Sequence, residues 1–516
     1  MLPPARLTRN RRGAPALLVL AAALVAALAL VPLAYVAWYT WALGPADTWE
    51  LLARPRVGEL LRNTLALLVG AVALSTVLGV TCAWLVERSD LPLRGVWHLL
   101  FVAPLAIPAF VNSYGWVSLT HSAQGYAGAV LIVSLSYSPL VYLPTVAAMR
   151  TLDPVLEEVS HSLGDDRWTT FRRVVLRGVR PGVLGGALLV GLHVLAEFGA
   201  LQMLRFPTFT TAIFDNYRSA YNSAPANVLA NVLVLCCLVL LLAEMSVRGD
   251  AALWRVGPGS ARDVVRVRLG RWRPMVLAAV AGLVLLSLGV PVGSLVHWLL
   301  VGSSTAFPFG ELVSATVTTA GLGLGAAALT TAMALPVVWL AVRHRGAVGN
   351  FIERAAFTAH ALPGIVVALA LVAVSIRSVR PLYQTLPLLL VGYAILFLPR
   401  VIVSIRSSLE HAEPVLDDVA QSLGQRPAGV LARVTLPLIR NGLGAGAALV
   451  FLAVSTELTA TLLMAPIGTA TLATQFWSNS SSLAYGAAAP YALLLVLVSL
   501  PATWLLSSQT HRRPAS

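Results

Sequence analysis

Lysine is absent from this 516-residue chain, and all 36 of its basic residues are Arg. A phosphate loop of the form G-x-x-x-x-G-K-[ST] needs a Lys to reach the terminal phosphates. The chain therefore holds no such site, and if nucleotide hydrolysis drives it, another polypeptide does the hydrolysing. Charge of either sign is scarce, at 11% against 58% hydrophobic residues, which excludes an ordinary soluble globular domain. The three cysteines, Cys82, Cys236 and Cys237, lack metal-ligand spacing, and neighbouring cysteines rarely bridge, so they read as small apolar packing residues. No nucleophile-base-acid arrangement, H-E-x-x-H cluster or glycine-rich dinucleotide fingerprint is present. His193 and His360 stand alone in apolar surroundings and read as satisfied core histidines. These absences argue against an enzyme.

Long apolar runs recur instead, each long enough to cross a hydrocarbon core of roughly 30 Å as a helix. They start near Pro15, Leu61, Val96, Tyr126, Gly182 and Asn227, then near Met275, Val313, Ile352, Leu382, Gly442 and Tyr485. An all-α membrane protein with twelve transmembrane helices, six per half, is the expectation. The first run follows Arg6, Arg9, Arg11 and Arg12 as a signal peptide would. Its apolar core exceeds the roughly 7–15 residues of a cleavable segment, so it is expected to be kept. The net charge of +14 would suggest nucleic acid in a soluble protein. Here the Arg residues concentrate in segments that lie inside if the amino terminus is cytoplasmic, so the excess charge sets orientation and implies no nucleic-acid partner. Both termini are then cytoplasmic. Residues 248–273, with seven Arg, read as a basic cytoplasmic linker beside anionic headgroups.

One passage occurs twice, 260 residues apart: EVSHSLG at 158–164 and DVAQSLG at 418–424. The register continues without a gap through Val174/Val434, Leu176/Leu436, Arg180/Arg440 and Gly182/Gly442 to Glu197/Glu457. Upstream, Trp84-Leu85 matches Trp339-Leu340, Arg88 matches Arg343, and Pro108 matches Pro363, at an offset of 255. Each polar passage follows an even number of spans, so both fall on one side, as parallel repeats do and inverted ones do not. The expected division is 1–247 and 274–516 about the linker, with one polar loop in each half, near 150–181 and 406–441.

Each loop reads as two short helices. Pro154 and Pro414 suit a first helical turn, with Asp153 and Glu413 before them as caps. Gly164 and Gly424 permit the left-handed conformation that ends a helix. A basic helix follows, with Arg167, Arg172, Arg173, Arg177 and Arg180 in one copy and Arg433 and Arg440 in the other. Pro437, or Gly178 and Pro181 in the first copy, is expected to mark a turn into the next span. Small apolar residues beside carboxylates fit another protein's groove. A loop resting on lipid is the alternative, but acidic residues at its leading edge would repel an anionic leaflet.

These loops resemble the cytoplasmic motif of permease subunits of binding-protein-dependent ABC importers, E-A-A-x-x-x-G followed nine residues later by I-x-L-P. Glu158-Val159-Ser160 and Gly164, with Val174 and Leu176, fit it, as do Asp418-Val419-Ala420 and Gly424, with Val434, Leu436 and Pro437. The departures are Asp418 for Glu and Arg177 for Pro. The resemblance covers essentially the whole chain and implies a fused two-half permease. Glu158, Gly164, Asp418, Gly424, Arg173 and Arg433 would couple it to two copies of an ABC ATPase. It further implies an extracytoplasmic substrate-binding protein, a bacterial cytoplasmic membrane, and ATP bound by the partners, with no cofactor in this chain. Segments 196–202, 206–217 and 472–492 look most like those of ferric iron permeases; thiamine, then another small solute, is the rival cargo. An ion-gradient-driven secondary transporter would explain the repeat but not the paired motif.

Glu197 and Glu457 lie about 15 residues beyond Gly182 and Gly442, roughly 22 Å into their helices and past the midplane. A charge at such depth costs about 2.5–3.5 kcal/mol on insertion scales, so it usually faces a cavity or a partner. Both are expected either to line the translocation path, offering carboxylates to a hard cation, or to hydrogen-bond a neighbouring helix. Pro104, Pro108, Pro139, Pro144 and Pro363 are expected to kink their helices. Trp38, Trp41, Trp49, Trp298 and Trp477 suggest an outer aromatic belt.

Overall fold

A computed structural model describes residues 15–152, 154–219, 224–248, 266–302, 304–305, 307–344 and 346–511. The expected cap Asp153 and most of the basic linker lie outside the described residues. Among those described there is no strand, only a parallel bridge between Ser89 and Val267. The rest is helix and short connections.

Among the described residues, nine helices are long and apolar enough to cross a membrane. They include Ala16–Leu43, Pro55–Arg88, Tyr126–Thr151 and Trp168–Ala196 from the first half. Gly270–Val301, Phe309–Arg343, Leu386–His411 and Leu431–Ser455 are their counterparts in the second half. Counted as one broken span, the pair Arg94–Ala106 and Ala109–Val117, bent by 91° at Pro108, makes a tenth. Where the run beginning near Ile352 suggested a full span, the apolar helix Gly364–Ser378 is shorter, whereas the helix that begins at Tyr485 runs on to His511. Pro108 and Pro363 therefore do more than kink. Each is the extended residue before a new helix (φ −52°, ψ 142° and φ −59°, ψ 145°), so it ends one helix and starts another. Pro139 and Pro144 stay inside Tyr126–Thr151.

The 34-residue helix Pro55–Arg88 would measure about 51 Å, well beyond the roughly 30 Å hydrocarbon core. Part of it therefore extends beyond such a core. Its buried positions (Thr64, Leu67, Ala71, Ser75, Gly79 and Ala83) recur every three or four residues and form one stripe. Small residues there let Tyr126–Thr151 approach closely, and Ser134 donates to the Ala71 carbonyl at 3.3 Å.

By their internal contacts the helices group into two compact units. One comprises Met1–Pro32, Gly323–His360 and Leu390–Phe451; the other Leu33–Leu322, Ala361–Leu389 and Leu452–Ser516. These units cut across the division at 248–273 that the sequence suggests. Each contains one of the two polar loops.

Candidate functional site

The leading helices of the loops are Pro154–Ser162 and Pro414–Ser422. Glu413 has the extended backbone of a cap, but its side chain makes no cap hydrogen bond; proline at the helix start suffices. Both helices end two residues before the expected glycine, which then turns left-handed, at φ +92° for Gly164 and +84° for Gly424. The closing bonds are those of a Schellman motif. Asp165 N–H donates to the Ser160 carbonyl and Gly164 N–H to that of His161; Gln425 and Gly424 repeat this on Ala420 and Gln421, all at 3.0–3.1 Å. The motif leaves an apolar residue outside: Leu163 is 80% exposed and Leu423 77%, with Val159 and Val419 about half exposed behind them. Glu158 is exposed beside them. Asp418 occupies the same helical position, its side chain lying outside what is described. Two matched apolar knobs at the tips of polar loops are what a protein groove receives.

The basic residues clasp the turn. Arg173 pairs with Asp165 at 3.2 Å, and Arg433 reaches Gln425 at 3.5 Å. Such exposed contacts stabilise little, about 0–1 kcal/mol.

The stronger attachment involves residues to which the sequence assigned no role. Arg88 ends the long helix Pro55–Arg88, and its guanidinium lies 3.0 Å from the Glu157 carboxylate. Arg343 ends Phe309–Arg343 and lies 3.2 Å from Asp417. Each Arg also donates to a carbonyl at the end of the helix before its loop, Arg88 to Met149 and Arg343 to Ala412, both at 3.1 Å. Thr435 adds a 2.8 Å hydrogen bond to Asp417. Arg88 and Asp417 are buried. Burial pushes the Glu157 carboxyl above its ordinary range, while Arg88, and then His161, pull it back. The same latch thus joins the leading helix of the loop to a long apolar helix in both copies. Helical spacing could have revealed it, because Glu157 and Asp417 precede the motif acids by one residue and so point to another face.

Behind the loops the chain does not turn as expected at Pro437 or at Gly178 and Pro181. It runs on as helix through one wide π turn, Phe171–Val175 in one copy and Leu431–Thr435 in the other. Proline stands near it only in the second copy, so proline is not its cause; both π turns lie where loop meets span.

Glu197 and Glu457 do not sit within continuous helices. The helices stop at Ala196 and Ser455, and each acid lies two residues before the next short helix, Gly199–Met203 or Thr459–Met464. Glu197 Oε1 accepts from Ala200 N–H and Glu457 Oε1 from Ala460 N–H, both at 2.9 Å. Thr210 and Thr461 donate to the acids' carbonyls at 2.7 Å. The Tyr137 hydroxyl of Tyr126–Thr151 donates to Glu197, a bond to a neighbouring helix. The two acidic segments meet: a Cβ on Gly199 would lie 2.9 Å from both Leu458 and Phe110, so only glycine fits there. Phe198 packs on Trp477 with ring centres 5.4 Å apart. Trp477 is therefore buried at this junction and belongs to no belt, whereas Trp38, Trp41 and Trp49 are exposed.

His193 bonds the Leu189 carbonyl at 2.8 Å, as a core histidine does; the His360 side chain lies outside the described residues. Among the described residues no group of three or more His, Cys, Asp or Glu is placed to hold a metal. Cys82, Cys236 and Cys237 are free, and Cys82 and Cys237 are buried.

Comparison with known proteins agrees with this two-copy arrangement. The family described as "Binding-protein-dependent transport system inner membrane component" matches residues 75–244 and again 337–512, so each match spans one loop and the helices around it. The chain is 38% identical to the Fe(3+)-transport system permease protein FbpB 2 of Haemophilus influenzae, over 93% of this chain and 96% of that one. It is 27% identical to the sulfate transport system permease protein CysT of Escherichia coli over 42% of this chain and 86% of that protein. Identity to the sulfate permease CysW of Synechocystis is also 27%, over 36% and 75%. The chain belongs to the family of binding-protein-dependent transport system inner membrane components, as a multi-pass permease whose two halves are fused in one polypeptide.

Proposed function

We propose that this chain is the transmembrane permease of an ATP-driven importer for ferric iron. Two six-helix halves, 1–247 and 274–516 joined by the basic linker 248–273, would stand as parallel repeats of twelve spans with both termini in the cytoplasm. Each loop seats one copy of an ABC ATPase, through Leu163 and Glu158 on one side and Leu423 and Asp418 on the other. Gly164 and Gly424 shape the seats, and Arg173 and Arg433 brace them. Closure of the ATPase pair pulls the docking helices. The Arg88–Glu157 and Arg343–Asp417 latches pass that pull directly to the two longest helices. An extracytoplasmic binding protein delivers the cargo, and ATP is bound by the partners alone.

The observation that carries this reading is the duplicated latch and knob, a symmetric attachment with no use in a bundle driven from within. For the cargo, the 38% identity to an Fe(3+)-transport permease supports iron. The adjoining segments that carry Glu197 and Glu457 support it further, since carboxylates offer oxygen ligands to a hard cation and repel a sulfate dianion. The sulfate permeases resemble this chain over less than half its length. Thiamine remains the competing cargo. The decisive assay is radiolabelled uptake by cells carrying this chain with its ATPase and binding protein and no other iron importer. Ferric iron should enter; entry of sulfate or thiamine in its place would overturn the substrate assignment.

A further inference from the structure

A cavity of about 1160 Å³ opens beside the first latch. Its walls come from Pro55–Arg88, the first docking helix, the helix that follows it, and residues 266–267 at the end of the linker. Val267 is fixed there by backbone bonds: its N–H donates to Arg88 at 2.8 Å, and its carbonyl accepts from Asp90 at 3.1 Å. Leu269 N–H adds a 2.8 Å bond to the Asp90 carboxylate. Because the linker occurs once in the chain, this wall has no second copy.

The cavity is polarised along the long helix. Thr76, Val77, Val80 and Trp84 line one end, with Leu176 and Val183 from the next span. The Arg88–Glu157 pair, Glu158, Asp166 and Arg266 line the other. From Thr76 to Arg88 is about 18 Å of helix, one leaflet of hydrocarbon (roughly 15 Å) plus the start of the headgroup layer. At the polar end Arg88 and Glu157 neutralise each other, which leaves one guanidinium, Arg266, beside two carboxylates, Glu158 and Asp166. Thr169 donates to Asp166 and holds that carboxyl below its ordinary range.

We propose that this cavity binds one phospholipid of the cytoplasmic leaflet with a primary-ammonium headgroup, phosphatidylethanolamine by chemistry. Its acyl chain lies along Val77, Val80 and Trp84, its phosphate faces Arg266, and its ammonium donates to Glu158 and Asp166. A trimethylammonium cannot donate, and a headgroup with only a phosphate would face two carboxylates unpaired. The lipid would then fill the hinge between docking helix and span in the first half alone. This inference rests on the cytoplasmic placement of the loops proposed above.

The test is native mass spectrometry of the purified, delipidated chain titrated with phosphatidylethanolamine, phosphatidylcholine or phosphatidylglycerol. One adduct per chain should form, favouring phosphatidylethanolamine about tenfold, the scale of one charge-assisted hydrogen bond. Val80→Trp, which fills the apolar end, should abolish the adduct. Glu158→Gln with Asp166→Asn should keep one adduct but erase the preference over phosphatidylcholine, and Asn can still accept the Thr169 bond that starts the helix. Equal adducts for all three headgroups on the unaltered chain, or a phosphatidylethanolamine adduct that survives Val80→Trp, would overturn the proposal. Neither result would overturn ATP-driven uptake, and because Glu158 also belongs to the proposed ATPase seat, its variant is read only as lipid adducts of the isolated chain.

Discussion

Arg88 and Arg343 show how single side chains tie each loop to the membrane bundle. Arg88→Leu would strand the Glu157 carboxylate in a largely buried place, destabilising the first docking helix by up to about 3–5 kcal/mol. Limited proteolysis of the loop measures this. Arg88→Leu combined with Glu157→Leu should recover much of the loss; simple additivity would show that the two do not interact. Glu157 also makes the loop pH-sensitive. Burial raises its carboxyl, so the folded protein binds that proton more tightly than the unfolded chain does. The associated stability is fully present below the ordinary value of 4.5 and is lost as pH rises through the raised one. Wild type should therefore gain on Glu157→Gln as pH falls from neutrality, read as loop proteolysis rates. A gain on alkalinisation would mean that Arg88 outweighs burial. For the buried acids, Glu197→Gln and Glu457→Gln can each keep the 2.9 Å cap bond to Ala200 or Ala460 while removing the charge. Uptake lost in chains that insert and fold normally places the charge in the path; wild-type uptake in both leaves only the cap. The sequence paired Glu197 with Glu457 and Arg88 with Arg343 by register alone. It could not show that the acids break their helices, because that break depends on Phe198, Gly199 and Leu458 meeting across 259 positions of chain.

At the scale of elements, the loops were the most legible part. Their helix ends are written in local chemistry: proline at the start, glycine where φ must be positive. Because a Cβ at Gly164 or Gly424 meets nothing within 4 Å, substitution there acts through backbone torsion alone. Gly164→Val with Gly424→Val should cost about 1–2 kcal/mol at each turn and abolish uptake without blocking insertion, whereas Asn, which tolerates left-handed backbone, should transport. Normal ATPase binding and uptake by the double Val variant would contradict docking at these turns. The π turns and the breaks at Pro108 and Pro363 were harder to read. A proline signals disruption, but whether the helix kinks or breaks by 91° depends on what buries Ala109–Val117, which no local pattern records.

For the whole molecule, hydropathy and the 260-residue register revealed a helical membrane protein with duplicated loops, and the two family matches fall on those duplicates. The grouping of helices into compact units was not legible, since one unit combines residues 16–32 with stretches that begin only at Gly323. Such grouping is set by packing between distant helices, which hydropathy does not encode. The lack of Lys and the paired loops support the proposed reading, in which the driving force enters from separate subunits. The most direct measurement compares proteoliposomes holding this chain alone with others holding it together with its ATPase and binding protein, ATP being enclosed on the loop side. Ferric iron should accumulate only in the complete assembly and only with hydrolysable ATP. Accumulation by the lone chain on a proton or sodium gradient would contradict the account.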